Sequence, residues 1–384
     1  MVFCKSKPKI EAAPLFDMDW TNNGDPIYEI PQDLYDMVAN SDGSVGGVNL
    51  MDPDFELPSI WKYAIGGSYE FESGYLASID YLYSDYQDAA IIQDISLEQV
   101  DSTADGRPIY GSANGRSEDF MLTNVDGDSG YSSVLSLGLS KSFDFGLSIA
   151  LGYAFTEAED VNPMTSSVAY SNYTKIATAD AQNPGTATSN YVVPHRFTLK
   201  LDYTQEFFSG YETRFTLFGS ANEGIPYSYT FGDQIFGDAG WGRGLLYVPS
   251  GADDANVVFA DDFDTEAFFA WVDSEDLDSG TKERNSLNSD WWTKFDLRID
   301  QQLPGWRAED RVNAYFVIEN LGNLLNDEWG VMYEGGFPRY QSAVTASIDD
   351  QGRYVFEEFL DPAGQTRVTD ASLWSARMGV RYEF

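Results

Sequence analysis

The sequence contains one cysteine, Cys4, and one histidine, His195, among its 384 residues. A lone cysteine excludes an internal disulfide framework and a cysteine-ligated metal site. A lone histidine confines any Ser-His or histidine-metal chemistry to one position, where a long loop enters an extended segment. A structural role at that strand start is the better reading, and no enzyme activity is expected. Positive charge is also scarce: 23 Lys plus Arg stand against 62 Asp plus Glu, for a net charge of -39. Such a chain repels nucleic acid, which excludes phosphate-backbone recognition. No apolar run reaches the length of a membrane helix. The start, MVFCKSKPKIEAAPLF, has basic residues but lacks the apolar core of a secretory signal. Residues 1–23 are therefore expected to be an atypical or truncated start, distinct from residues 24–384.

What the chain has in abundance is alternation. In the final segment, SLWSARMGVRYEF, residues Trp374, Ala376, Met378, Val380, Tyr382 and Phe384 share one face of a strand, with Ser375, Arg377, Arg381 and Glu383 on the other. The same pattern recurs through Trp61, Tyr63, Ile65 and Tyr69, through Ala77, Ile79, Tyr81 and Tyr83, and through Leu135, Leu137 and Leu139. It continues through Leu147, Ile149, Leu151, Tyr153 and Phe155, Phe197, Leu199, Leu201 and Tyr203, Phe215 and Leu217, Phe295, Leu297 and Ile299, and Ala314, Phe316 and Ile318. That face is expected to carry no charge. The intervening positions, among them Lys62, Asp80, Lys200, Asp202, Arg214, Lys294, Asp296, Arg298, Asp300 and Glu319, form a wet, ionic face.

A soluble β-sandwich and a membrane barrel both have an apolar face, and the placement of aromatics separates them. Here Leu, Ile and Ala occupy the strand centres. Phe71, Tyr75, Phe143, Phe145, Tyr211 and Phe384 lie beside short turns, whereas Trp61, Tyr83, Phe155, Trp291 and Trp374 lie beside long loops. Two aromatic belts around an apolar band predict an all-β, antiparallel transmembrane β-barrel. Residues 87–130, 157–193, 221–289 and 325–370 are long, acidic and rich in Gly, Asp, Asn and Ser; the other connections are short. Short periplasmic turns and long external loops orient the chain and place its carboxyl terminus on the periplasmic side. About nine strands are expected, an odd number where single-chain bacterial barrels have an even one, so the wall is expected to be partial. The expected location is the outer membrane of a Gram-negative bacterium, with the terminal strand (Trp374, Tyr382, Phe384) read by the barrel assembly machinery.

Several stretches carry a family resemblance. LPSIWKYAIGGSYEFESGYLASIDYLYSDYQDA (Leu57 to Ala89), NYVVPHRFTLKLDY (Asn190 to Tyr203), and SDWWTKFDLRIDQQLPGW with VNAYFVIENLGNLLND (Ser289 to Asp327) resemble the carboxyl-terminal barrel of Oar-like TonB-dependent outer-membrane receptors. The Ile318-Glu319-Asn320-Leu321 segment, with Asn323 to Asn326, resembles the Asn-Leu element near their penultimate strand. The resemblance implies a 22-stranded barrel around a plug domain, energised through TonB. This chain would supply the carboxyl-terminal wall and external loops, and the plug, the earlier strands and the TonB contact would belong to a longer parent. The alternatives are a stand-alone porin or adhesin barrel, and a soluble secreted β-protein such as a lectin.

Candidate site residues are few. Asp126 and Asp128, and Asp253, Asp254, Asp261, Asp262 and Asp264, carry the hard oxygen ligands that calcium takes, although the spacing matches no EF-hand. Phe259, Phe263, Phe268, Phe269 and Trp271 lie in the same acidic loop and are expected to form an exposed ligand or partner surface. Gly237 to Gly244, GDAGWGRG, does not follow a strand and open a helix, and it reads as a flexible loop tip rather than a phosphate cradle.

Overall fold

The computed structural model describes residues 21–22, 25–26, 47–113, 118–208, 210–240, 242–307 and 310–384. The basic start with Cys4 lies outside the described residues. Nine long strands follow one another in space in the same order as in sequence. They are β1 (Ser59–Glu70), β2 (Tyr75–Gln87), β3 (Gly130–Ser142), β4 (Leu147–Asp160), β5 (His195–Phe208), β6 (Tyr211–Asn222), β7 (Trp292–Pro304), β8 (Arg311–Glu319) and β9 (Ser375–Glu383). Every neighbouring pair is antiparallel. The strands are 9 to 14 residues long, against roughly nine to eleven needed to cross a bilayer.

Local chemistry makes the hairpins. Three of the short turns share a Phe-x-x-Gly pattern, ending at Gly74 (φ 78°), Gly146 (φ 91°) and Gly210 (φ 79°). A left-handed residue closing a tight loop keeps the twist of the flanking strands, and glycine adopts it without a Cβ penalty. In the first, Phe71 N donates to Tyr75 O and Gly74 N to Phe71 O, both at 2.8 Å.

Register then decides the faces. Ile79 pairs with Leu137, Leu139 with Leu151, Leu151 with Leu199, Leu217 with Leu297, Leu297 with Ile318 and Phe316 with Met378. Because side chains alternate with period two, these pairs put the whole apolar set on one continuous face. Nothing among the described residues covers it: Ile65 is 75% and Met378 83% exposed. The opposite face carries Lys200 and Arg214 on Asp202 at 2.8 and 2.7 Å, and Arg298 on Asp300 at 2.7 Å.

The apolar face is not wholly free of charge. Pairing with Tyr75 and Ile149 places Lys141 on it. Its ammonium lies over the rings of Tyr75 and Phe143, 4.3 and 4.8 Å from their centres, at the turn end. A long aliphatic stem with its cation against aromatic rings at the rim is how such a residue is tolerated there. Asp85, Glu157 and Glu159 share the same parity at the other end, where the strands run into the long connections.

Those connections are folded rather than loose. Val257–Phe259, Tyr354–Phe359, Tyr340–Ile348, Pro226–Phe231 and Leu287–Asn288 form a five-stranded sheet in that order. Two of its ladders are parallel. The helices α1 (Ala169–Thr174) and α2 (Thr265–Ser274) belong to the same body, and among the described residues no helix is long and apolar enough to cross a membrane. Phe231, Val248, Phe268, Val344, Tyr354 and Phe356 sit fully buried in its core. A smaller cluster joins Ile92, Tyr110, Phe120 and Tyr173. The fold is thus an all-β antiparallel barrel wall, open among the described residues at β1 and β9, with a packed external domain built from its long connections.

Candidate functional site

The external domain is held together by charges of the sign this sequence has least of, 23 Lys plus Arg against 62 Asp plus Glu. Three buried arginines each bridge different connections. Arg107, from the β2–β3 connection, donates through Nη1 to Leu245 O at 2.6 Å and through Nε to Ala179 O at 3.2 Å, with its guanidinium 3.9 Å over the Phe236 ring. Burial draws the Arg107 pKa down, and the neighbouring Tyr354 and Asp105 counter it. Arg243 pairs with Asp238, Nε to Oδ2 at 2.5 Å, and lies 4.2 Å over the Tyr173 ring. Arg284 donates to Asp160 Oδ1 at 3.0 Å and to Ala187 O at 3.2 Å. An arginine fork satisfies several carbonyls at once, so a few such residues can replace many loop-to-loop contacts.

Hydroxyls complete the stitching. Tyr354 Oη donates to Asp105 Oδ1 at 2.9 Å, Thr281 Oγ1 to Asp105 Oδ2 at 2.8 Å, and Tyr340 Oη to Thr174 O at 3.2 Å. Burial pushes the Tyr340 phenol up to about 12 and those of Tyr229 and Tyr354 higher still.

The residues singled out in the sequence fall as follows. Phe263, Phe268 and Trp271 are buried, and Phe259 and Phe269 pack against them. The expected exposed aromatic surface is instead the core of the external domain, because α2 turns its aromatic side onto the strand Tyr354–Phe359, with Phe268 5.6 Å from Phe356. The Gly237 to Gly244 segment is not a loose tip either: Asp238 and Arg243 are 3% and 1% exposed. Gly237, at φ 75°, leaves no room for a side chain, since a Cβ there would meet Tyr110 O at 1.9 Å.

The acidic candidates are dispersed. Among the described residues no three His, Cys, Asp or Glu side chains converge to hold a metal ion. Asp126, Asp261 and Asp262 are exposed. Asp128 Oδ1 accepts from Gly130 N at 3.0 Å, and Asp264 caps α2 by accepting from Ala267 N at 3.0 Å. Asp254 accepts from Ser250 N at 2.8 Å and Asn256 N at 2.9 Å. Burial alone would raise the Asp254 pKa; these bonds, with those from Ser250 Oγ and Tyr247 Oη, hold it below the usual range.

His195 opens β5, as expected. Its Nδ1 lies 2.8 Å from Tyr153 Oη, and its ring stacks 6.2 Å from that of Trp291. Together with Phe155 and Phe197 these residues form one aromatic belt. Near the opposite rim, Tyr382 lies 5.5 Å from Trp306 and 6.3 Å from Phe384, which is 98% exposed. Trp374 flanks the start of β9 at the loop end.

One cleft in the external domain was not legible in the sequence. It has a volume of about 360 Å³ and is lined by Asn162, Pro163, Thr165, Ser166, Ser171, Asn172, Lys175, Asn190 and Tyr191 from the β4–β5 connection and by Phe337 and Arg339 from the β8–β9 connection. Arg339 pairs with Glu334 at 2.9 Å. Lys175 is exposed, with no ion pair among the described residues. The signal that could have pointed to it is the rarity of cations in these connections, where Lys175 and Arg339 stand among many carboxylates.

No family model matches this sequence, and no curated protein matches it. Among solved structures, the outer membrane transporter YddB from Escherichia coli is similar over 88% of this chain and 34% of that one, with 12% sequence identity and a TM-score of 0.39. The chain therefore spans about a third of the length of that transporter.

Proposed function

We propose that this chain forms part of the wall and external face of an outer-membrane transporter barrel of a Gram-negative bacterium, of the Oar-like TonB-dependent kind. The observation that carries the reading is the single apolar face shared by all nine strands, in register and uncovered among the described residues. Water disfavours such a face by roughly 25 cal/mol per Å², whereas lipid does not. The ionic opposite face suits a water-filled or plugged lumen. An antiparallel meander of nine strands leaves β1 and β9 running the same way, so closing the wall with antiparallel partners takes an odd number of further strands. In the proposed assembly these come from the parent protein, along with a plug and its TonB contact. The terminal strand, with Trp374, Tyr382 and Phe384, is what the assembly machinery reads. The external domain receives cargo by binding and performs no catalysis.

Cysteine labelling in bilayers tests the reading on a Cys4→Ser background. Leu199→Cys should react with a lipid-soluble maleimide and resist a charged one, and Lys200→Cys should do the reverse. Equal labelling of both sites by the charged reagent would overturn the membrane assignment.

A further inference from the structure

We propose that the cleft between the β4–β5 and β8–β9 connections binds an acidic oligosaccharide, a chain of sugar rings bearing uronate carboxylates. The chain has 62 acidic residues, yet none of the eleven residues lining this cleft is acidic and two, Lys175 and Arg339, are cationic. In a protein this negative, a carboxylate ligand finds few other sites where it is not repelled. Arg339 spends Nη1 on Glu334 and Gly335 O, at 2.9 and 2.8 Å, which fixes the guanidinium and leaves its other edge without a hydrogen-bond partner among the described residues, in position for a carboxylate. Its backbone sits at φ 75°, a conformation uncommon outside glycine.

The neutral lining identifies the rest of the ligand. Seven of the eleven residues carry a hydroxyl or a side-chain amide. Asn162, Ser166 and Asn172 bond one another and the backbone and hold the wall in shape, and the hydroxyls of Thr165, Ser171 and Tyr191 suit a polyhydroxylated molecule rather than an apolar acid. Asn190, only 8% exposed, accepts at its Oδ1 from Asn285 Nδ2 at 2.6 Å, which fixes its amide in the cleft wall. Tyr191 and Phe337 are 58% and 76% exposed. Exposed rings at a cleft mouth offer flat faces against which the C–H side of a pyranose stacks, and the cleft volume lies within the range of small-ligand sites.

The inference rests on the proposed function for naming this domain cargo-facing, but its test does not depend on bilayer insertion. Calorimetry on the detergent-solubilised protein should detect trigalacturonate binding that weakens with salt. Neutral maltotriose should bind far more weakly. Lys175→Glu, at an exposed site, should weaken trigalacturonate on the order of tenfold, and Phe337→Ala should weaken both sugars. Absence of trigalacturonate binding, equal affinity for maltotriose, or an unchanged Lys175→Glu variant would each overturn the proposal. A protein that labels as a membrane wall yet fails here refutes only this site, and one that binds but labels wrongly refutes only the wall.

Discussion

Asn320 donates its side-chain amide to Gly330 O at 2.8 Å while holding a left-handed backbone, φ 54°, immediately after β8. It is fully buried, its amide also reaches Ser372 O at 3.1 Å, and its backbone N–H donates to Asp296 Oδ1 at 2.8 Å. One residue thus turns the chain out of the wall and ties both ends of the β8–β9 connection together. Asparagine is among the few side chains that tolerate this backbone and can also satisfy two carbonyls.

Asn320→Leu should therefore cost about 2–4 kcal/mol, from left-handed strain plus buried carbonyls left unpaired. Asn320→Gly should cost less, because it keeps the backbone and loses only the bonds. Gly330→Ala should approach the leucine variant, since a Cβ there would lie 1.9 Å from Asn320 Oδ1. Urea unfolding in detergent, followed by tryptophan fluorescence, ranks the three. Equal stability of Asn320→Leu and Asn320→Gly would remove the backbone argument.

The central strand β5 offers a register test. Leu199 pairs with Leu151 and Gly219 on the apolar face, and Lys200 with Ala150 and Phe218 on the ionic one. Arginine at a lipid-facing site near the midplane costs about 2–4 kcal/mol, so Leu199→Arg should strongly destabilise the assembled wall and Lys200→Arg should be nearly silent. Unfolding in lipid vesicles reads the difference, and a reversed order would mean the strand has slipped by one residue.

In the external domain, Arg243 and Asp238 form a pair with side chains 2% and 4% exposed. Removing one partner leaves a buried charge, so Arg243→Met should cost roughly 3–5 kcal/mol. The double variant Arg243→Met with Asp238→Leu should regain much of that loss. Limited proteolysis of residues 221–289 would report it; a double variant as sensitive as the single one would argue that the fork's contact with Tyr173, not the charge pair, is what matters.

Asp254 supplies a pH dependence. Its folded pKa is depressed, so the stability it contributes is fully present above the ordinary carboxylate value of about 4 and is lost as pH falls through the lower folded value. Hydrogen exchange at the Ser250 and Asn256 amides should accelerate in that acid window. Asp254→Asn should show fast exchange at neutral pH and lose the acid step. If the step persists in the variant, another group causes it.

How much of this was readable from the chain depends on distance along it. The period-two alternation belongs to adjacent residues, so the apolar and ionic faces, the short turns and both aromatic belts could be read before any contact was known. Lys141 escaped because it lies one step beyond the last leucine of its strand, where a cation is tolerated only by folding back over Tyr75 and Phe143. The external domain was not readable. Phe268 and Phe356 come together only when the strand Tyr354–Phe359 lies beside Val257–Phe259 in a parallel ladder. Arg107 reaches Leu245 O across 138 residues. A run of aromatics in an acidic loop has the same composition whether it faces water or a core. Only the pairing of distant segments decides that, because burial is a property of what lies opposite a side chain and not of its neighbours in sequence.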